Sequence, residues 1–171
     1  MTRRIVLTGT PGTGKTTVST LVAERTGLDV VHLNDAIADE KLYTERDVER
    51  DSLVADVEAI TEWLGDWDGI VESHLSHLLD AEEAVVLRCH PEELTSRLRE
   101  RGEAESKIAE NAESEALDVI LSETVERFGE DGVYEIDTTD RPPAAVADDV
   151  VAAVEGEMSP RVGTVSFIDY L

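Results

Sequence analysis

Hydrophobic residues along this chain alternate between two spacings. Short, mostly β-branched blocks recur at residues 4–8, 29–33, 70–72, 83–89 and 133–137, and each reads as a buried strand. Between them the apolar positions fall three and four apart. Val18, Leu21 and Val22 form one such stripe, closed by Gly27 as a helix C-cap. Asn34-Asp35 can cap a helix running to residues 42–43, and a charged stretch, 44–50, follows it. Asp51-Ser52 then opens a further helix carrying Leu53, Val54, Val57, Ile60 and Leu64, and residues 65–69 form a turn.

The second half continues the pattern. His90-Pro91-Glu92-Glu93 is a helix start, with proline at the first helical position and acids in the first turn. That helix reaches Arg101 and ends at Gly102. One long helix is expected over residues 106–128, with Leu117, Leu121, Val125 and Phe128 on one side, and a last one over 144–154 after Pro142-Pro143. Strands alternating with helices predict an α/β chain whose parallel sheet is covered by helices on both faces. Ligands should gather at the carboxyl ends of its strands. Residues 156–171, with Val162, Val165, Phe167, Ile168, Tyr170 and Leu171, have no obvious place, and docking on the body or on a partner both remain open.

Gly9-Thr10-Pro11-Gly12-Thr13-Gly14-Lys15-Thr16-Thr17 follows the first strand and precedes the first helix. It fits the P-loop pattern G-x-x-x-x-G-K-[ST]. Glycines let successive backbone N–H groups converge on phosphate oxygens, and the helix N-terminus adds partial positive charge. Gly12, Thr13, Gly14, Lys15, Thr16 and Thr17 are therefore the candidate ATP-binding residues. Lys15 can reach the β- and γ-phosphates, and the Thr16 hydroxyl can ligate Mg²⁺. Glu72, at the end of its strand, is the candidate carboxylate for the same ion, or a base toward an acceptor oxygen.

His74 is a candidate polar residue of the active site, and His77 a weaker one; together they lack the third ligand that a zinc site needs. Arg97 and Arg101, four residues apart on one helical face beside Gly102, suit a closing lid. Surface pairing with neighbouring glutamates is the alternative for both. Arg141, after the last strand, is placed to cover an adenine.

Composition changes the picture in one respect. The 171 residues hold 39 acids against 15 Lys plus Arg, a formal charge of −24 spread over the whole chain. Self-repulsion of that size destabilises a fold at low ionic strength and fades in molar salt, where the Debye length is about 3 Å. A protein adapted to a salt-rich cytoplasm is the reading; a basic partner is the competing one. With so few cations, direct RNA binding at low salt is disfavoured. No apolar run approaches the ~20 residues of a membrane span, and the N-terminal residues Met1-Thr2-Arg3-Arg4 read as no signal peptide. A cytoplasmic location is expected. The single cysteine, Cys89, ends an apolar run and reads as a buried, inert thiol.

With these residues assembled, the chain resembles the adenylate kinase isoenzyme 6 family, especially its archaeal members, up to about residue 155. The resemblance rests on the P-loop, on His32-Leu33-Asn34, on Asp47-Val48-Glu49-Arg50-Asp51-Ser52, on Glu72-Ser73-His74-Leu75-Ser76-His77, on residues 97–102 and on Lys107-Ile108-Ala109-Glu110-Asn111. It implies a single P-loop NTPase domain of the nucleoside monophosphate kinase fold, with a five-stranded parallel core. A monophosphate-binding region would span about 34–56 and a lid about 100–110.

The implied reaction is ATP + AMP ⇌ 2 ADP with Mg²⁺, with loose preference among monophosphates. Arg101 would contact ATP from the lid, and Glu72 and His74 would take the acid and the histidine of the family's D/E-x-H motif. Eukaryotic members imply a second role, an ATPase in small-subunit ribosome (rRNA) maturation with a ribosomal protein as partner. This sequence departs from the pattern in three places. His77 stands where the eukaryotic form has a second acid, Ala38 aligns with a common arginine that Lys41, Arg46 or Arg50 would have to replace, and Glu103 follows the lid's Arg-Gly in place of an aromatic residue.

Overall fold

The computed structural model describes residues 3–50 and 52–171. Five strands form one parallel sheet: β1 (Arg4–Thr8), β2 (Val30–His32), β5 (Gly69–Glu72), β6 (Glu83–Arg88) and β7 (Val133–Asp137), in the order β2-β5-β1-β6-β7. Register follows the pleat. Ile5, Leu7, Ile70, Val85, Leu87 and Ile136 point to one face, where they meet Val18 and Val22 of α1 (Lys15–Thr26) and Val146 and Val150 of α7 (Pro143–Val154). Val6, Val71 and Ala84 point to the other, against Ile60 of α3 (Val57–Leu64) and Leu33 and Ile37 of α2 (Leu33–Asp39). Val86 and Val133 meet Ile120 and Leu121 of α6 (Val119–Phe128) on that same side. Central strands buried on both faces explain why they read as unbroken apolar runs.

All five expected strands form, and three of the helical expectations change. The helix expected to be capped by Asn34-Asp35 begins before that pair, at Leu33 after His32 with no side-chain cap, and stops at Asp39. The charged stretch after it becomes a two-stranded antiparallel hairpin, β3 (Tyr43–Asp47) and β4 (Ser52–Ala55). The helix expected to open at residues 51–52 starts at Val57 instead. Its cap is Asp56, whose carboxylate accepts the Ala59 N–H, while Leu53 and Val54 belong to β4. Asp51 itself lies outside the described residues. The apolar stripe had merged a strand and a helix because both present residues to the same core.

The long helix over 106–128 is two helices, α5 (Glu105–Ala116) and α6, broken where Asp118 takes a left-handed conformation, φ 56°. An ion pair holds that break: the Asp118 carboxylate accepts from the buried Arg88 guanidinium at 2.5 Å. The helix α4 (Pro91–Glu100) and Gly102 fall where expected.

The tail docks on the body. Arg161 pairs with Tyr134 beside the free edge of β7, its N–H donating to Val133 and its carbonyl accepting from Glu135. The backbone N–H and the hydroxyl of Thr164 both donate to Glu135 Oε1, at 2.5 and 2.7 Å. Phe167 is buried, with its ring 5.3 Å from the Arg88 guanidinium carbon and edge-on to His90. The tail thus covers an edge strand that would otherwise be open. Among the described residues no helix is long and apolar enough to cross a membrane.

Candidate active site

Because the sheet is parallel, the carboxyl ends of β1, β2, β5, β6 and β7 share one edge, and the chemistry collects there. The loop after β1 wraps back over its own strand. Gly9 (φ 149°) lies so close to Leu87 that a Cβ would stand 2.7 Å from the Leu87 carbonyl oxygen. At Gly12 (φ 95°) a Cβ would strike Leu94 and Leu98 of α4. The glycines are therefore required both by backbone conformation and by close packing. The Thr10 carbonyl closes the loop, accepting from Thr13 N–H (3.2 Å), Thr13 Oγ1 (2.9 Å) and Lys15 Nζ (3.1 Å).

Lys15 is almost fully buried. That burial pulls its ammonium down to about 8; Arg101 adds to the lowering, while Glu72 and Glu115 oppose it. Thr16 Oγ1 donates to Glu72 Oε1 at 3.2 Å, and His32 Nδ1 donates to the same oxygen at 2.8 Å. Glu72 is 5% exposed, and His32 is its register partner on the neighbouring strand.

His74 sits across the cleft. Ser73 Oγ donates to Asn34 Oδ1 (2.7 Å), which turns the Asn34 amide N–H₂ toward His74 Nδ1 at 3.4 Å. The imidazole proton then belongs on Nε2. Burial, with Lys15 and His77 nearby, pushes His74 down to about 4, so it is neutral at neutral pH and acts as a polar N–H donor, not as a cation.

A cavity of about 440 Å³ collects Gly12, Gly14, Lys15, Thr16, Thr17, Glu72, His74, Arg97 and Arg101. Thr13 and Arg141 open instead on an adjoining cavity of about 240 Å³, with Gly14, Thr17, Arg97 and the apolar Pro143 and Val146. There Arg141 is held down by the carbonyls of Asp137 (2.9 Å) and Ala145 (3.2 Å) and by Asp149 (2.9 Å). A third cavity, about 370 Å³, lies on the other side of His74 and Arg101. It is lined by Arg50 and Ser52 from the hairpin, Asn34 from α2, and Lys107, Glu110 and Asn111 from α5. Arg50 forms an ion pair with Glu110 across its mouth.

The structure keeps His77 out of this cluster. It is 1% exposed beneath the sheet edge, between Thr8 Oγ1 (2.9 Å) and Glu123 Oε2 (2.7 Å), and burial lowers its basicity. Its position in the motif is structural here. Cys89 is buried and its thiol is pushed up to about 12, mainly by burial, which makes it inert. Arg97 bonds the Gly12 carbonyl (3.2 Å) and Glu93 (2.6 Å), so it braces the loop as well as lining both cavities on the loop side.

Three functional neighbours were not singled out as site residues by the sequence: His32, Asn34 and Glu115. The first two were visible in His32-Leu33-Asn34 only as part of a resemblance. Glu115 lies on no motif and reaches the loop only through the fold.

A strand, a glycine loop closing on a lysine, and a hydroxyl–carboxylate pair at the adjacent strand end define a P-loop kinase fold. Solved structures agree on the fold. A shikimate kinase from Bacteroides thetaiotaomicron superposes with TM-score 0.57 at 20% identity, over 90% of this chain and 98% of its own. A gluconokinase from Sinorhizobium meliloti gives 0.57 at 18% identity, over 91% and 93%.

The AAA domain family model matches residues 5–118. Curated relatives described as "Putative adenylate kinase" match almost end to end. The protein of Natronomonas pharaonis is 54% identical over 98% of this chain and 99% of its own. That of Halobacterium salinarum is 52% identical over 98% and 99%, and that of Methanocaldococcus jannaschii 38% over 98% and 97%. The chain belongs to this archaeal adenylate kinase family.

Proposed function

We propose that this protein transfers the γ-phosphoryl group of ATP to AMP, giving two ADP, with tolerance for other nucleoside monophosphates as acceptor. One observation carries the reading: the loop-side cavity and the hairpin-side cavity share Pro11, Asn34, His74 and Arg101 as their common wall. A donor phosphate on the loop and an acceptor phosphate beyond His74 would face each other across that line. Phosphoryl transfer asks for positioning and charge, which this arrangement supplies.

The triphosphate would lie along the loop N–H groups and the start of α1, with Lys15 on the β- and γ-phosphates and Thr17 on the α-phosphate. Bound phosphate would restore the charge that burial weakens at Lys15. The adenine would rest between Arg141 and the apolar Pro143 and Val146. Arg101, next to Gly102 (φ 80°) at the junction of α4 and α5, would close over the transferring group. His74 would donate Nε2–H to a phosphate oxygen or to a water between the substrates.

Residues 34–56 and 100–110 would be the two moving walls. Arg50 is the hairpin cation that replaces the arginine missing at Ala38. Lys107 lines the same cavity from α5 and would add a second positive charge there.

The Thr16 hydroxyl and Glu72 carboxylate, 3.2 Å apart, are hard oxygen donors suited to Mg²⁺. The ion would neutralise charge on the β- and γ-phosphates. Thr16, whose hydroxyl hydrogen is given to Glu72, would offer an oxygen lone pair to the ion, while His32 keeps Glu72 in place.

The test is ADP formation from Mg·ATP in high salt, scanned over AMP, GMP, CMP and UMP. Strong stimulation with AMP at the head is the expected result. Slow hydrolysis indifferent to every monophosphate would favour the other reading, an ATPase that acts on a partner protein in ribosome assembly, and would overturn this one.

A further inference from the structure

Glu115 is a buried carboxylate, 2% exposed, with no contact to either nucleotide cavity. It nevertheless holds four donors. Oε1 accepts the Thr10 hydroxyl at 2.9 Å, Oε2 accepts the Cys89 N–H at 2.8 Å and Arg88 Nε at 3.2 Å, and its main-chain carbonyl accepts from Arg88 at 3.1 Å. Arg88 bonds Glu135 in turn at 2.6 Å, and Glu135 receives Thr164 of the C-terminal segment. A carboxylate in an apolar interior is costly unless it is hydrogen-bonded and a cation stands by. Three donors and Arg88 offset that cost here, although burial still pushes the Glu115 carboxyl above its ordinary range.

The Thr10 end of this network matters for chemistry. The same residue whose hydroxyl is gripped by Glu115 offers its carbonyl to Thr13 and to Lys15 Nζ. Fixing that side chain fixes the peptide plane on which Lys15 rests.

Glu115 also belongs to α5, where Lys107, Asn111 and Glu115 recur every four residues and so lie on one stripe. Lys107 and Asn111 line the hairpin-side cavity; Glu115, at the far end of the stripe, reaches the loop. One helix therefore touches the wall of one cavity and the scaffold of the other.

We infer that Glu115 is a positioning residue for the phosphate-binding loop, acting through the Thr10 hydroxyl to hold the Thr10 carbonyl and Lys15 in register for ATP. This rests on the reading of the loop as the ATP site. Removing the hydroxyl leaves Glu115 Oε1 without its donor and frees the loop to shift. The loss falls on ATP because Thr10 does not line the hairpin-side cavity, whereas its carbonyl holds Lys15 on the loop side. A side chain that only supported the fold would lower the melting temperature without separating the two substrates.

The experiment compares wild type, Thr10→Val, Thr10→Ser and Glu115→Asp in high salt. Three quantities are read: melting temperature, ATP dissociation constant by titration without acceptor, and the KM values for ATP and AMP. Thr10→Val keeps size and branching but lacks the donor. It should weaken ATP binding and raise KM for ATP about tenfold, within the range expected for one unmade buried bond, and leave KM for AMP within about twofold.

Thr10→Ser restores the donor and should recover ATP binding. Glu115→Asp retracts the carboxylate from Thr10 while keeping its charge beside Arg88, and should reproduce the ATP defect even if Thr10→Val fails to fold. Wild-type ATP affinity in folded Thr10→Val or Glu115→Asp overturns the inference, as does an equal rise in both KM values. Failure of the wild type itself to bind ATP would instead overturn the reading of the loop.

Discussion

The two walls of the cleft are built differently. On the loop side, Lys15, Glu72, Thr10 and Thr13 are buried: Lys15 and Thr13 bond the Thr10 carbonyl within the loop, Thr10 is tied to Glu115 of α5, and Glu72 to His32 at the end of β2, by hydrogen bonds of 2.8–3.1 Å. On the hairpin side, Arg50 and Glu110 are both more than half exposed, and the wall is a two-stranded hairpin and the start of α5. An exposed ion pair is worth at most about 1 kcal/mol and less in salt, so Arg50 can leave Glu110 for a phosphate at little cost. A buried, cross-braced wall is preorganised; an exposed one is assembled by its ligand. The donor site should therefore be formed in the resting protein and the acceptor site completed on binding.

The sharpest way to break this contrast is at Lys15. Lys15→Ala should abolish ADP formation with and without AMP, a fall of about a thousandfold or more in kcat, because it removes the fixed charge from a water-poor site. Full turnover in that variant would remove the loop from the mechanism. Glu72→Gln should cost about a hundredfold in kcat and raise the Mg²⁺ concentration needed for half-activity, since the amide is a poorer ligand and disturbs Thr16 and His32 together. A metal titration of the variant reads both.

On the other wall, Arg50→Ala should raise KM for AMP about tenfold and leave KM for ATP nearly unchanged. Equal effects on both substrates would erase the distinction between the walls.

The smallest effect is pH. The lysine's folded value, about 8, is below its ordinary 10.5. In the free protein Lys15 loses its charge as pH rises through about 8, so kcat/KM for ATP should fall across that point. The nucleotide-free protein should move the other way. The unfolded chain keeps this proton up to about 10.5, so the Lys15 contribution to stability is present above that value and is lost as pH falls through about 8. Melting curves and kinetics over this range should therefore diverge.

What the sequence made legible follows the same division. The loop side was readable because its constraints are local: a glycine spacing, a lysine, a strand end at Glu72. The sheet was readable because strands buried on both faces leave continuous apolar runs. The hairpin was not, since residues 44–50 are polar except for Val48 and carry no alternation, and the stripe 53–64 fits a helix until Asp56 is seen to cap one. The break at Asp118 and the docking of residues 161–171 depend on Arg88, an arginine inside an apolar strand whose partners Glu115, Asp118, Glu135 and Phe167 are scattered over the chain. No periodicity announces such a cluster. Of the candidate site residues, the cavities bring together Lys15, Thr16, Thr17, Glu72, His74 and Arg101, whereas Thr13 and Arg141 fall to the neighbouring space.

The most direct measurement is the phosphate balance of a single reaction: ADP and inorganic phosphate formed from Mg·ATP in high salt, with AMP present at saturation. The account predicts two ADP for each ATP consumed and almost no inorganic phosphate, because an acceptor held beyond His74 takes the group in place of water. One ADP and one inorganic phosphate for each ATP, unchanged by AMP, would contradict it.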